Sequence, residues 1–326
     1  RCRPPEAGMP RAEPREIAPH ERGTPVRWYT HGWNRDLSWR LIHSIIPRVP
    51  RVLRPPIHLI TTAICWLGMP RERRAVRLNL ARVTGRSGLA LRLLTFRLFY
   101  DFSKFMVAYI DIMRKRPQDM RRWVEGADEA ALRIESLLAE GKGLIVLTLH
   151  LGNWEMGLAH LAGMGHRVNV VLRPEDSEGA VYEQEARRRA GVRVVPAGGS
   201  AWNGLDLLLC LRRGEIVAIQ GDRPFGPVRE RAQLFGAPVD LPSGPFVLAQ
   251  TSGAPILAVC VPIRGHFRYR ILLDGPIRVG PGPDGVHAAV ETFARTVERF
   301  VSTCPTQWFN FYEVWERSGE RDAPPG

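Results

Sequence analysis

A chain of 326 residues with 44% hydrophobic content can bury a sizeable core, which excludes a small module stapled by disulfides or a metal. Its formal net charge of +13 predicts attraction to polyanions, but only Lys104, Lys115 and Lys142 among the 46 Lys and Arg are lysines, and no zinc-finger spacing, aromatic RNA-binding signature or dense basic helix accompanies the charge. Nucleic acid is therefore set aside, and an anionic membrane surface or an acidic carrier protein is the expected partner. The five cysteines, Cys2, Cys65, Cys210, Cys260 and Cys304, are odd in number, far apart and without a C-x-x-C pair, which favours reduced thiols over a disulfide framework.

In chain order, residues 1–26 are rich in Pro, Arg and Glu and lack an apolar h-region; they read as a disordered tail. Residues 37–69 interleave Trp, Ile and Leu with Arg and are broken by Pro47, Pro50, Pro55 and Pro56. The uncharged run 55–69 is shorter than the ~20 residues a spanning helix needs. It reads as interfacial, with Trp39 and Trp66 near the boundary, while a pair of buried core helices is the competing reading. Residues 71–115 carry apolar positions at three- and four-residue spacing and predict a helical cap. Together, 27–116 form a helical, membrane-associated or cap region.

After Gly126 the pattern alternates. A helix is expected near 127–140, a strand at 143–149 and a helix opening near Asn153. Strands at 168–172, 192–195, 215–219, 255–261 and 269–273 follow, with helices at 180–190 and 203–213 among them. A last helix is expected near 285–303, with Val286, Val290, Phe293, Val297 and Phe300 on one face. The expected class is α/β, a mostly parallel central sheet flanked by helices, occupying 117–316. Residues 317–326 read as a flexible tail.

The stretch 147–155, LTLHLGNWE, places His150 where an apolar strand gives way to a helix, the position at which open α/β sheets collect reactive groups. In one continuous helix, His150 and Glu155 would project ~140° apart, so pairing them requires a turn. Gly152 permits a left-handed conformation and Asn153 is a good N-cap, which brings Glu155 into the first helical turn. Glu155 is then a candidate orienting acid for a His150 general base, suited to deprotonating a hydroxyl that attacks an activated acyl group. The stretch alone leaves open a capping histidine bonded to a loop carbonyl. There is no G-x-S-x-G elbow and no H-E-x-x-H or Cys/His cluster with metal spacing. His150, His160 and His166 read as dispersed helical histidines.

HLGNWE resembles the H-x-x-x-x-(D/E) signature of glycerolipid acyltransferases, in the form seen in the late acyltransferases of lipid A biosynthesis, the lauroyl/myristoyl acyltransferase family. Other blocks appear in the same order: AVRLNLARV at 75–83, VVLRPED at 170–176, AIQGDRPFG at 218–226 and LFGAPVDLPSGPFVLAQTSGAPILAV at 234–259. A Trp-rich end at 308–315 closes the match, which spans roughly 40–316. Two departures stand out: EDSEG replaces an Asn-Pro after the Arg-Pro, and QWFNFYEVWER replaces a basic C-terminal segment.

The resemblance implies a membrane-associated O-acyltransferase that moves a fatty acyl chain from acyl carrier protein or coenzyme A to a hydroxyl of a lipid acceptor, lipid A precursor-like. By the motif, His150 would be the base and Glu155 its orienting partner. Arg173, Asp222, Arg223 and Gly244 fall in blocks that bind substrate, with Arg173 contacting an anion or oxyanion and Asp222 placing the acceptor or Arg223. The Phe225, Phe235 and Phe246 side chains are candidates to line an acyl channel, with core packing the alternative. No metal and no resident cofactor are expected. The place of action implied is the cytoplasmic face of the inner membrane, with peripheral or shallow insertion. Alternatives are a lysophospholipid or aminolipid acyltransferase, a thioesterase, and a non-catalytic lipid-binding protein of the same fold.

Overall fold

A computed structural model describes residues 44–50, 53–115, 117–173, 178–197, 201–224, 228–265 and 267–315. The two expected tails, Trp39 and Phe225 lie outside these residues. The first helices are α1 (Arg54–Gly68), α2 (Pro70–Thr84) and α3 (Gly88–Ile112). Pro sits in the first turn of both α1 and α2, where its missing N–H costs nothing, and Gly85 ends α2 in the left-handed conformation at φ 65°.

A short helix α4 (Pro117–Met120) and strand β1 (Val124–Glu125) lead into α5 (Ala127–Leu138), β2 (Leu144–Gly152), α6 (Trp154–Gly163) and β3 (Val168–Leu172). Then come α7 (Glu178–Arg189), β4 (Val192–Pro196), α8 (Ala201–Arg212) and β5 (Ile216–Gln220). The chain continues through β6 (Arg229–Leu234), β7 (Ala237–Pro242), α9 (Gly244–Ser252) and β8 (Ile256–Val261). It ends with β9 (Ile263–Gly265), β10 (Arg268–Arg270), β11 (Leu272–Ile277) and α10 (Gly282–Thr303).

The central sheet has the order β11-β8-β2-β5-β3-β4, parallel throughout except for the antiparallel edge strand β11. Its middle strand β2 is buried on both faces, which is why it reads as an apolar run rather than an alternating one. Leu144 and Val146 belong to one core, with Phe105, Ile134 and Met156. Ile145, Leu147, Leu149 and Leu151 belong to the other, with Phe246 and Phe293. Val76, Leu80, Leu91, Leu98 and Phe99 of α2 and α3 share the first of these cores, so the helical region and the sheet are packed as one body.

Two details differ from the sequence expectation. The strand expected at 269–273 is split: β10 pairs with β1 and β9 in a small separate sheet, while β11 joins the main one. The segment 229–242, for which no strand was expected, is an antiparallel hairpin, β6 with β7. Its two-residue turn holds Phe235 at φ 48° and Gly236 at φ 71°, the pair of positive φ values a tight hairpin favours. RERAQL hides the strand because Glu230 takes an inward position of the alternation and leaves a run of three charges.

Helix α1 is patterned inside out. Its buried stripe is Arg54, His58 and Thr62, at four-residue spacing. Arg54 Nη1 donates to Asp111 Oδ2 of α3 at 2.5 Å, and His58 Nδ1 and Thr61 Oγ1 meet Ser103 Oγ at 3.1 and 2.6 Å. Leu53, Leu59, Ile60, Ile64 and Leu67 point outward, Leu67 being 76% exposed. Cys65 and Trp66 of the same helix pack against the first core, so among the described residues α1 is covered on one side only. No helix among the described residues is long and apolar enough to cross a membrane.

Candidate active site

The end of β2 is shaped by Gly152. It has φ 68°, and a Cβ there would lie 2.2 Å from the Val261 carbonyl oxygen of β8, so only glycine fits. Asn153 N donates to that same carbonyl at 2.7 Å, and Asn153 Oδ1 accepts from Met156 N at 3.0 Å, capping α6. The left-handed Gly152, the Asn153 cap and the placing of Glu155 in the first turn are as anticipated.

The partner of His150 is different. Thr148 of β2 and Gln220 of β5 are register partners, and two residues beyond each stand His150 and Asp222. Asp222 Oδ1 lies 2.7 Å from His150 Nδ1, and Asp222 Oδ2 accepts from His150 N at 3.1 Å and from Trp308 Nε1 at 2.9 Å. Asp222 is buried. Burial would raise its carboxyl, but the His150 charge and hydrogen bond, Arg223 and Trp308 outweigh this and bring it down to about 2. An ionised carboxylate only accepts, so Nδ1 carries the proton and Nε2 keeps its lone pair for chemistry. Burial and the neighbouring Arg223 charge hold the His150 imidazole below its ordinary pKa, with Asp222 opposing them.

Glu155 is paired elsewhere. Its Oε1 accepts from Arg187 Nη2 at 2.7 Å, in a pair with 5% and 8% side-chain exposure. The same Nη2 donates to the Tyr109 hydroxyl at 3.3 Å, and Glu183 stands 3.6 Å from Nη1. As the second residue of α6, Glu155 faces α7 and α3, where a buried arginine needs a counter-charge. Burial would lower the Arg187 pKa, but Glu155, Tyr109 and Glu183 reverse the shift and raise it.

The C-terminal segment closes the site. Phe309 N donates to His150 O at 2.8 Å, and Leu151 and Trp308 form an antiparallel bridge. Arg223 binds this segment, with Nε on Asn310 Oδ1 at 2.7 Å and Nη2 on Phe309 O at 2.6 Å. Asn79 does the same from α2: its Nδ2 donates to the Asn310 and Tyr312 carbonyls and its Oδ1 accepts from Val314 N. The Asn-Leu block thus has a physical purpose. Trp308 and Arg187 were not among the expected site residues, Trp308 because the Trp-rich end gave no sign of which indole meets Asp222 and Arg187 because EARRR looks like any solvated basic run.

Arg173 is exposed just beyond the end of β3. Gly244 opens α9, whose Phe246 and Ala249 pack on the opposite sheet face from His150. Beside the His150 and Asp222 pair, a largely apolar pocket runs between that sheet face and helices α5 and α6, lined by Ile134, Val146, Trp154, Leu158, Val170 and Ile271 among others. Trp154 joins it to the pair, with its ring 5.4 Å from that of His150. Phe246 is buried against Phe293 on the other face and Phe235 packs on Trp315, so these two do not line it.

A sequence profile described as bacterial lipid A biosynthesis acyltransferase matches residues 44–317. The chain belongs to that family. Among characterised relatives it is similar to the phosphatidylinositol mannoside acyltransferase of Mycobacterium tuberculosis, with 28% identity over 213 residues in strain CDC 1551, covering 62% of each chain. The same-named protein of Mycolicibacterium smegmatis is 26% identical over 204 residues, covering 59% of this chain and 63% of the relative. The matched part therefore spans less than two thirds of these relatives. The resemblance read from HLGNWE and the blocks after it holds as family membership.

Proposed function

We propose that the protein transfers a fatty acyl chain from an acyl carrier protein or coenzyme A thioester to a hydroxyl of a membrane glycolipid. The observation that carries this reading is the hydrogen bond from His150 Nδ1 to ionised Asp222, with a largely apolar pocket next to it. In this mechanism His150 Nε2 takes the acceptor hydroxyl proton as the oxygen attacks the thioester carbonyl. The tetrahedral intermediate collapses, the C–S bond breaks, and the imidazolium returns its proton to the leaving thiolate. Asp222 holds the tautomer and stabilises the imidazolium. Arg173, exposed at the same edge of the sheet, would contact a phosphate of donor or acceptor. The sugar-bearing lipid in the relatives' names favours a glycolipid acceptor, lipid A precursor-like or mannoside-like, over a lysophospholipid.

The test is hydroxyl-dependent consumption of acyl carrier protein thioester by the purified protein, with mass spectrometry of lipids from a deletion strain to name the acylated species. An acylated glycolipid is expected. Free acid released without acceptor would indicate a thioesterase, and no consumption of acyl carrier protein or coenzyme A thioesters would indicate a non-catalytic lipid-binding protein.

The same reading places the protein on the cytoplasmic face of the inner membrane, held peripherally. The outward stripe of α1 supports it, because Leu59, Ile60, Ile64 and Leu67 are turned to solvent while polar residues are buried beneath them. Each apolar side chain returned to an apolar phase contributes ~1.5–3 kcal/mol at full burial. Changing Leu59, Ile60 and Ile64 together to Ser is expected to weaken binding to anionic vesicles by roughly tenfold or more. Unaltered sedimentation with vesicles would move the contact off α1.

A further inference from the structure

The strands that wall the pocket interrupt its apolar surface with a side-by-side polar pair, Thr148 of β2 and Gln220 of β5. Gln220 Nε2 is buried and has no hydrogen-bond partner. Thr148 Oγ1 reaches only the Ile219 carbonyl, at 3.5 Å. An unpaired buried amide is destabilising, and Leu or Met would fill the same space without that penalty. A donor left unsatisfied in the wall of an apolar pocket marks a place where the ligand brings an acceptor.

Register sets where that acceptor must lie. His150 and Asp222 follow Thr148 and Gln220 by two residues each, past the end of the β2–β5 ladder, and Thr148 and Gln220 line the pocket. A thioester carbonyl held at His150 Nε2 therefore places the first few carbons of its chain, and not the carbonyl itself, level with Gln220. We propose that this pocket selects an acyl chain hydroxylated on one of those first carbons, with the Gln220 carboxamide as the specificity-determining group and Thr148 beside it. The chain hydroxyl accepts from Gln220 Nε2. An unsubstituted chain leaves that donor unpaired and binds correspondingly worse. This inference rests on the acyl-transfer reading above and specifies the donor.

The experiment compares dodecanoyl-coenzyme A with its 2-hydroxy and 3-hydroxy counterparts as donors for the purified full chain. The expected result is a kcat/KM at least about tenfold higher for one hydroxylated donor, the equivalent of a ~1.4 kcal/mol preference. In Gln220→Leu, and in Gln220→Met as a second variant against misfolding, that ratio is expected to collapse toward one. A wild-type preference for the unsubstituted donor, or an unchanged ratio in both variants, would overturn the proposal. So would an equal loss on all donors, which would make Gln220 an oxyanion donor. Should no donor react, acyl transfer itself has failed. The selectivity is then read from calorimetric binding of dodecanoic and hydroxydodecanoic acids, where equal affinities overturn it and a hydroxyl preference lost in Gln220→Leu supports it.

Discussion

Replacing His150 by Ala is expected to lower acyl transfer by roughly 100- to 10,000-fold, the usual contribution of a positioned general base. Asp222→Asn is expected to fall in the same range while keeping the fold. An amide in place of the carboxylate can still accept from Trp308 Nε1 or His150 N, but it offers N–H toward His150 Nδ1. That moves the ring proton to Nε2, the nitrogen that has to accept one. Glu155→Gln leaves the His150 tautomer alone, because Glu155 is bonded to Arg187.

The pH profile separates these cases. Burial and Arg223 lower the His150 pKa and Asp222 only partly restores it, so the acid limb of kcat/KM is expected below the ordinary value of 6.5, with activity rising to a plateau at neutral pH. A base works when neutral, hence a lowered pKa extends its activity toward acid. Asp222→Asn removes the charge that raises the pKa, so its residual limb should move further down. A limb above 6.5, or one unaffected by Asp222→Asn, would assign the titration to another group.

Arg187→Met is expected to destabilise the protein by ~3–5 kcal/mol, because it strands the buried Glu155 carboxylate without its cation. Urea midpoints measure this. The double variant Glu155→Gln with Arg187→Met should recover much of the loss, since neutral groups of similar shape leave no uncompensated charge. Tyr109 and Glu183 also face Arg187, so recovery is expected to be partial. If Glu155→Gln abolished transfer with an unaltered urea midpoint and no change in the His150 limb, Glu155 would act in the chemistry and not in holding α6 against α7.

Much of this protein was legible in one dimension. The apolar runs at 168–172 and 255–261 predicted parallel strands because strands covered on both faces carry no polar alternation, and β3 and β8 lie there. The stripe Val286, Val290, Phe293, Val297 and Phe300 predicted the buried face of α10, and all five are buried. Gly152 and Asn153 predicted their own geometry because a left-handed turn and a helix cap are decided by adjacent residues. The hairpin at 229–242 was illegible, since Glu230 at an inward position breaks the alternation.

Which acid meets His150 was of another kind. Sequence proximity favoured Glu155, five residues away, whereas Asp222 is seventy-two residues away and arrives through the parallel register of β2 with β5. Likewise, α1 read as apolar and interfacial, but only packing on α3 decided that Arg54 and His58 turn inward and the leucines outward. The sequence by itself determined most of the elements, the turn at Gly152 and the family, because each depends on local periodicity or contiguous motifs. The tertiary structure alone decided the His150–Asp222 pairing, the Glu155–Arg187 pair and the closing role of Trp308, because each joins charges or donors on elements whose adjacency is set by sheet order and core packing.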